Sequence, residues 1–218
     1  MSWSKHRRGP PDRRGYHHGS LRETLIRGAL ALIAEKGPAG FTIADAARWA
    51  GVSPAAPYRH FRDRDDLMAD VARLGFEEFA TRLEKAWNDG KPNPMRAFEN
   101  LGRAYLAFAR DEPAFYTAMF GAGTAANGTP ELRQASDRAF EILRAASEKL
   151  SATLPAEKRP PSLMIALHVW AISHGIASLF GREGGRKTPV SPEELLEAAI
   201  LVYLQGLGIN TSPDAAGD

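Results

Sequence analysis

Residues 42–61 read T-I-A-D-A-A-R-W-A-G-V-S-P-A-A-P-Y-R-H-F, and this stretch decides the fold. Ile43, Ala46, Ala47 and Ala50 recur at i, i+3, i+4 and i+7, one face of a short helix, and Gly51 stops the run. Thr42, with Asp45 three residues on, supplies a cap at its start. After Gly51-Val52, Ser53 is a capping residue and Pro54 sits at the first helical position. A second short helix is therefore expected from about residue 54 to 61, carrying Tyr58, Arg59, His60 and Phe61. Two short helices joined by a tight glycine turn have the dimensions of a helix-turn-helix.

The residue types in this motif suit a duplex. Ala46, Ala47 and Ala50 allow the two helices to cross closely. Ser53, Ala55, Ala56 and Arg59 are small or donor-bearing, fit to meet thymine methyls or a guanine edge. Tyr58 and His60 offer donors to phosphate oxygens, and the free backbone N–H groups above Thr42 make a further phosphate site.

Working upstream, Ser20 and Glu23 form a capping box before Leu21, Leu25, Ile26, Ala29, Leu30 and Ile33, a helical run closed by Gly37. Charge is concentrated at this end. Residues 1–66 carry 12 Lys and Arg against 7 Asp and Glu, whereas the rest of the chain is net acidic. Lys5, Arg7, Arg8, Arg13 and Arg14, interspersed with glycine and proline, read as a flexible basic arm over residues 1–18. Such an arm points to a polyanionic partner only when a binding fold follows it, and here Arg13 and Arg14 stand just before one.

Downstream, Asp63 with Asp66 opens a long helix to about Trp87, and N-D-G-K-P-N-P over residues 88–94 breaks it. Further helices are expected at about 94–110, 113–120, 130–152, 162–181 and 192–208, with Pro94, Pro113, Pro130 and Pro192 as start signals. The expectation is an all-α chain of about nine helices: a helix-turn-helix domain over 19–66, a larger helical domain over 67–210, and a polar tail over 211–218.

Composition narrows the function classes. With 44% hydrophobic and 25% charged residues over 218 positions, the chain has globular proportions. No unbroken apolar run exceeds Ala198 to Leu204, so no membrane span is expected, and the basic start lacks the apolar core of a signal peptide. The expected location is the cytoplasm. The absence of Cys removes disulfides, thiolate zinc sites, iron-sulfur clusters and cysteine nucleophiles. His168 and His174, six residues apart, point about 120° from one another on a helix and make a poor metal pair. Neither G-x-S-x-G nor H-E-x-x-H occurs, and no nucleophile-base pair stands out. No cofactor, no metal and no enzymatic activity is expected.

Residues 20–71, from S-L-R-E-T-L-I through G-F-T-I-A-D-A-A-R-W-A-G-V-S to Y-R-H-F-R-D-R-D-D-L, resemble the DNA-binding domain of tetracycline-repressor-like (TetR) regulators. The resemblance implies phosphate contacts for Tyr58 and His60, a capping and backbone-contacting role for Thr42, and a core position for Phe61. One departure is Ala56-Pro57 where many members carry Thr-Leu, and Pro57 removes an intrahelical bond. The second half is similar to a C-terminal domain type named for a Trp-His-Gly signature, which Trp170, His174 and Gly175 fit.

That resemblance implies a homodimeric, effector-responsive regulator of transcription, usually a repressor, bound to a near-palindromic operator. The aromatic set Tyr105, Phe108, Phe115, Tyr116, Met119 and Phe120 clusters between breakers, so Phe108, Tyr116, Met119 and Phe120, with His168, are the expected pocket wall for a small apolar or aromatic effector. Leu163, Leu167, Trp170 and His174, with Leu195, Ala199 and Val202, are the expected dimer interface. The competing readings are a constitutive DNA-binding protein whose second domain is a scaffold, and a helical enzyme.

Overall fold

The structure, a computed structural model, describes residues 21–121, 128–180 and 189–209. The basic arm with Arg13 and Arg14, the Ser20 cap and the polar tail lie outside the described residues. Within them every regular element is helical: α1 (Leu21–Lys36), α2 (Ile43–Trp49), α3 (Arg64–Trp87), α4 (Pro94–Asp111), α5 (Pro113–Phe120), α6 (Pro130–Ser151), α7 (Ser162–Phe180) and α8 (Pro192–Gly206), with short 3-10 turns at Ala56–Arg59, Asn88–Gly90 and Ala156–Lys158. The all-α expectation holds.

Local chemistry sets most of the boundaries. Thr42 Oγ1 accepts from the Asp45 N–H while the Asp45 carboxylate accepts from the Thr42 N–H at 2.9 Å, a complete capping box for α2. Asp63 caps α3, Asn93 caps α4 and Thr129 caps α6, and Ser191 with Glu194 repeats the reciprocal box at α8. The end of α3 is fixed by left-handed backbone at Asn88, continued through Asp89 and Gly90.

The third helical segment differs from expectation. It is a 3-10 turn over Ala56–Arg59 rather than an α-helix begun at residue 54. Pro57 has no N–H to give the Ser53 carbonyl, which instead accepts from Ala56 at 3.0 Å, one residue short of α-helical spacing. Pro57 is itself among the most deeply buried side chains, so the ring that breaks the helix also seats the segment.

Two hydrophobic clusters share α3. The smaller gathers Leu25, Ile26, Ala29 and Ile33 of α1 with Phe41, Ile43, Ala46, Phe61, Leu67 and Val71. The larger is built on Phe76, Phe79 and Leu83 of α3, Phe98, Leu101 and Phe108 of α4, and the inward faces of α6, α7 and α8. At 24 residues, α3 runs about 36 Å and belongs to both. Its first turn is tied to the smaller unit: Arg64 Nε donates to the Phe41 carbonyl at 2.9 Å, with the guanidinium 4.9 Å above the Phe41 ring.

By length and composition α7 is the one helix among the described residues apolar enough to cross a membrane, although no unbroken run is long. It packs against α4, α6 and α8, burying Ile165, Ala166, Val169, Ser173, Ile176 and Ala177 while leaving an apolar outer face.

Candidate nucleic-acid interface and buried aromatic cluster

The expected DNA-contacting side chains stand at the surface. Thr42, Ser53, Ala55, Tyr58, Arg59 and His60 are exposed and Ala56 is half-buried, whereas Phe61 is buried with α1 and α3. The Tyr58 side chain, 58% exposed, projects from the 3-10 turn. The Thr42 hydroxyl donates to Asp45 at 2.7 Å, so it offers an external group only its remaining lone pair. The hydrogen bonds from Thr42 hold the Asp45 carboxyl below the usual carboxylate range. Trp49, to which the sequence pattern assigns no role, is 48% exposed and lies on α1, where a Cβ on Gly28 would come within 2.9 Å of its ring. The small residue is what lets that ring lie flat on the helix.

Two links run from this unit to the rest of the chain. Arg22 of α1 places Nη2 2.9 Å from Oδ2 of the buried Asp70 of α3, but the approach is not aligned for a hydrogen bond. Arg73 donates from Nε to the other oxygen at 2.9 Å. The second link is α5. Its Ala118 belongs to the smaller cluster with α1, while Tyr116 and Met119, on the same eight-residue helix, belong to the larger. Gly75 of α3 admits α5 so closely that an added Cβ would fall 2.8 Å from Met119 Sδ.

At the centre of the larger cluster the Tyr105 and Tyr116 hydroxyls converge on Nδ1 of His174, at 3.1 and 2.8 Å. The His174 ring stacks on Tyr116 and tilts against Phe120. Trp170, one turn earlier, meets Phe79, Tyr105, Phe120 and Phe140 edge-on or tilted. Burial lowers the His174 imidazole below its ordinary value and raises the Tyr105 hydroxyl far above its own, so both are neutral. In the tautomer protonated at Nε2, Nδ1 has one lone pair and accepts from one of the two hydroxyls at a time.

These placements locate the residues assigned from the sequence to the pocket and the interface. Trp170 and His174 are half-buried and pack inward, because the helix face they share meets aromatic side chains of α3, α4 and α5. His168 does the reverse: it is exposed, with Nδ1 2.9 Å from the Tyr203 hydroxyl of α8, and walls no part of the aromatic cluster. Phe108, Tyr116 and Met119 are packed rather than open, Phe108 against Phe79 and beneath the Arg82 guanidinium, while Phe120 is half-buried. A narrow inner cleft lies beside them, walled by Leu83, Phe98, Leu101, Tyr105, Trp170 and Ser173 among others, and none of the five expected pocket residues lines it. Of the expected interface, Leu163, Leu167 and Val202 are exposed, and Leu195 and Ala199 half-buried. Met164 and Leu179 extend the same apolar outer surface of α7.

Comparison with known proteins agrees with this geometry. The family pattern described as bacterial regulatory proteins, tetR family, matches residues 25–71, and that described as tetracyclin repressor-like, C-terminal domain, matches residues 98–203. A solved protein of unknown function from Rhodococcus sp. RHA1 is 30% identical, with a TM-score of 0.75 over 88% of this chain and 98% of its own. The TetR family transcriptional regulator PfmR from Thermus thermophilus is 21% identical, with a TM-score of 0.64 over 83% and 97%. AibR, solved in complex with isovaleryl coenzyme A and operator DNA, shares the fold at 15% identity and a TM-score of 0.65 over 84% and 97%. No curated protein sequence matches the chain.

Proposed function

Because the chain belongs to the tetracycline-repressor family of bacterial transcriptional regulators, we propose that it binds a near-palindromic operator as a homodimer and is released by a small effector held in its larger domain. The observation that carries the reading is the double membership of α5: Ala118 packs with the helix-turn-helix unit while Tyr116 and Met119 pack with the aromatic cluster. A ligand that repositions Tyr116 therefore moves a helix in direct contact with α1. The long α3, pinned to the same unit through Arg64 and Asp70, is carried along.

Tyr58 and His60 would contact phosphates, together with Arg13 and Arg14 of the arm, while Ser53, Ala55, Ala56 and Arg59 face base edges. The apolar outer faces of α7 and α8, with Leu163, Leu167 and Val202 exposed, support pairing of two copies. Pairing makes the operator two-fold symmetric. That AibR was solved with both an acyl thioester and operator DNA shows the fold hosting both partners in that protein.

For release, the effector must favour the conformation that cannot bind DNA. A preference of about 10- to 100-fold corresponds to about 1.4–2.7 kcal/mol of coupling. The test is to select the preferred duplex from random DNA and screen small molecules for release from it. Tight binding that no ligand weakens supports the constitutive binder with a scaffold domain.

A further inference from the structure

We propose that the inner cleft between α4, α6 and α7 is the effector site and that it selects an uncharged, mainly apolar molecule carrying a single hydroxyl or carbonyl oxygen, with Ser173 as its polar anchor. This rests on the effector-responsive reading above and names the class of effector.

The lining sets the chemistry. Leu83, Phe98, Leu101, Leu143, Val169 and the Trp170 ring make an apolar wall, and no lining residue is charged. An anion entering it would lose its hydration shell without gaining a counter-ion, the most expensive way to bury a group. The surrounding cations are committed elsewhere. Arg82 is held by Glu78 and Glu112, and Arg103 and Arg110 on α4 pair with Glu197 and Glu193 of α8. His174, the nearest titratable group of α7, is kept neutral by burial.

Of the polar side chains on the lining, Tyr105 is engaged with His174, and Ser173 is the small one. Ser173 is 3% exposed, lines the cleft, and its hydroxyl makes no hydrogen bond among the described residues. A buried serine in a helix ordinarily bonds back to a carbonyl of the preceding turn, as Ser147 does to Leu143 at 2.8 Å. The Ser173 hydroxyl is left to serve the cleft, where it can donate to a carbonyl or accept from a hydroxyl. The cleft is narrow and its walls are almost wholly apolar, which suits a compact molecule of one or two rings or a short aliphatic chain once the lining side chains part to admit it.

The experiment uses the full chain and three probes of one shape: naphthalene, 2-naphthol and 2-naphthoate, measured by equilibrium dialysis at about pH 7.5, where only the last is charged. The expected result is that 2-naphthol binds at least about 30-fold more tightly than 2-naphthoate. Ser173→Ala should weaken 2-naphthol about 3- to 10-fold, the worth of one hydrogen bond, and leave naphthalene unchanged. Retained naphthalene binding shows that the variant keeps its cleft. Equal or tighter binding of 2-naphthoate, no binding of 2-naphthol, or a Ser173→Ala variant that loses both neutral probes alike would overturn the proposal. Binding with the expected pattern but no change in affinity for the selected duplex would uphold the cleft's selectivity and refute release by effector.

Discussion

The Tyr116 hydroxyl lies 2.8 Å from Nδ1 of His174, which makes a half-buried histidine the polar centre of an aromatic cluster. Burial lowers the His174 pKa, so the folded chain resists a proton that the unfolded chain takes up near about pH 6.5. Stability is therefore full above that value and falls as pH drops below it, levelling once the depressed folded value is passed. His174→Gln, which keeps an acceptor for Tyr116 but cannot titrate, should have a flatter dependence of Tm on pH between about 5 and 8. The exposed His60 and His168 are common to both proteins, so the difference isolates position 174. Parallel curves would contradict the assignment.

Two helical glycines should respond oppositely to the same change. A Cβ on Gly175 meets nothing within 4 Å, so Gly175→Ala should stabilise by about 0.5–1 kcal/mol through helix propensity alone. At Gly75 the same atom collides with Met119 at 2.8 Å and Phe115 at 3.1 Å. Gly75→Ala should cost about 1–3 kcal/mol as α3 and α5 are forced apart. Because α5 also touches α1, this variant should change DNA affinity as well as Tm, measured by duplex titration alongside calorimetry.

Removing the Tyr58 hydroxyl should weaken binding to every duplex alike, by about 3- to 10-fold for one phosphate-directed hydrogen bond. Its exposure means that Tyr58→Phe should leave Tm unchanged. Arg59→Ala should instead relax the preference at one base position. A sequence-dependent loss for Tyr58→Phe, read by anisotropy across a duplex panel, would reverse these roles.

The apolar outer faces of α7 and α8 should close a two-fold interface. Leu167→Asp combined with Val202→Asp places charge at two side chains 47% and 71% exposed within one copy, so the protomer should fold but sediment as a monomer at micromolar concentration. A wild-type protein that is monomeric there, with no assembly on DNA, would remove the interface.

The starts of α2, α3, α4, α6 and α8 were legible because each rests on a local device, a cap or a proline, that works within four residues. The recognition segment was harder to read, since Ser53-Pro54 signals an α-helix while Pro57 withdraws the bond that would sustain it. The orientation of α7 was not legible at all. Trp170 and His174 share a face and His168 lies off it by spacing alone, but which face turns inward depends on the neighbouring helices. Ser173 carried no signal, because a serine beside a histidine is ordinary until the fold places it on the wall of a cleft.

The central claim is that this chain reads a DNA sequence, and the direct measurement is its affinity for the duplex it selects from a random pool against a scrambled duplex of equal length, over a series of salt concentrations. The account predicts a preference of about 1,000-fold or more for the selected duplex. For both duplexes the log of affinity should fall linearly with the log of salt, at about 0.9 per phosphate neutralised. Equal affinity for the two duplexes at every salt concentration would contradict it.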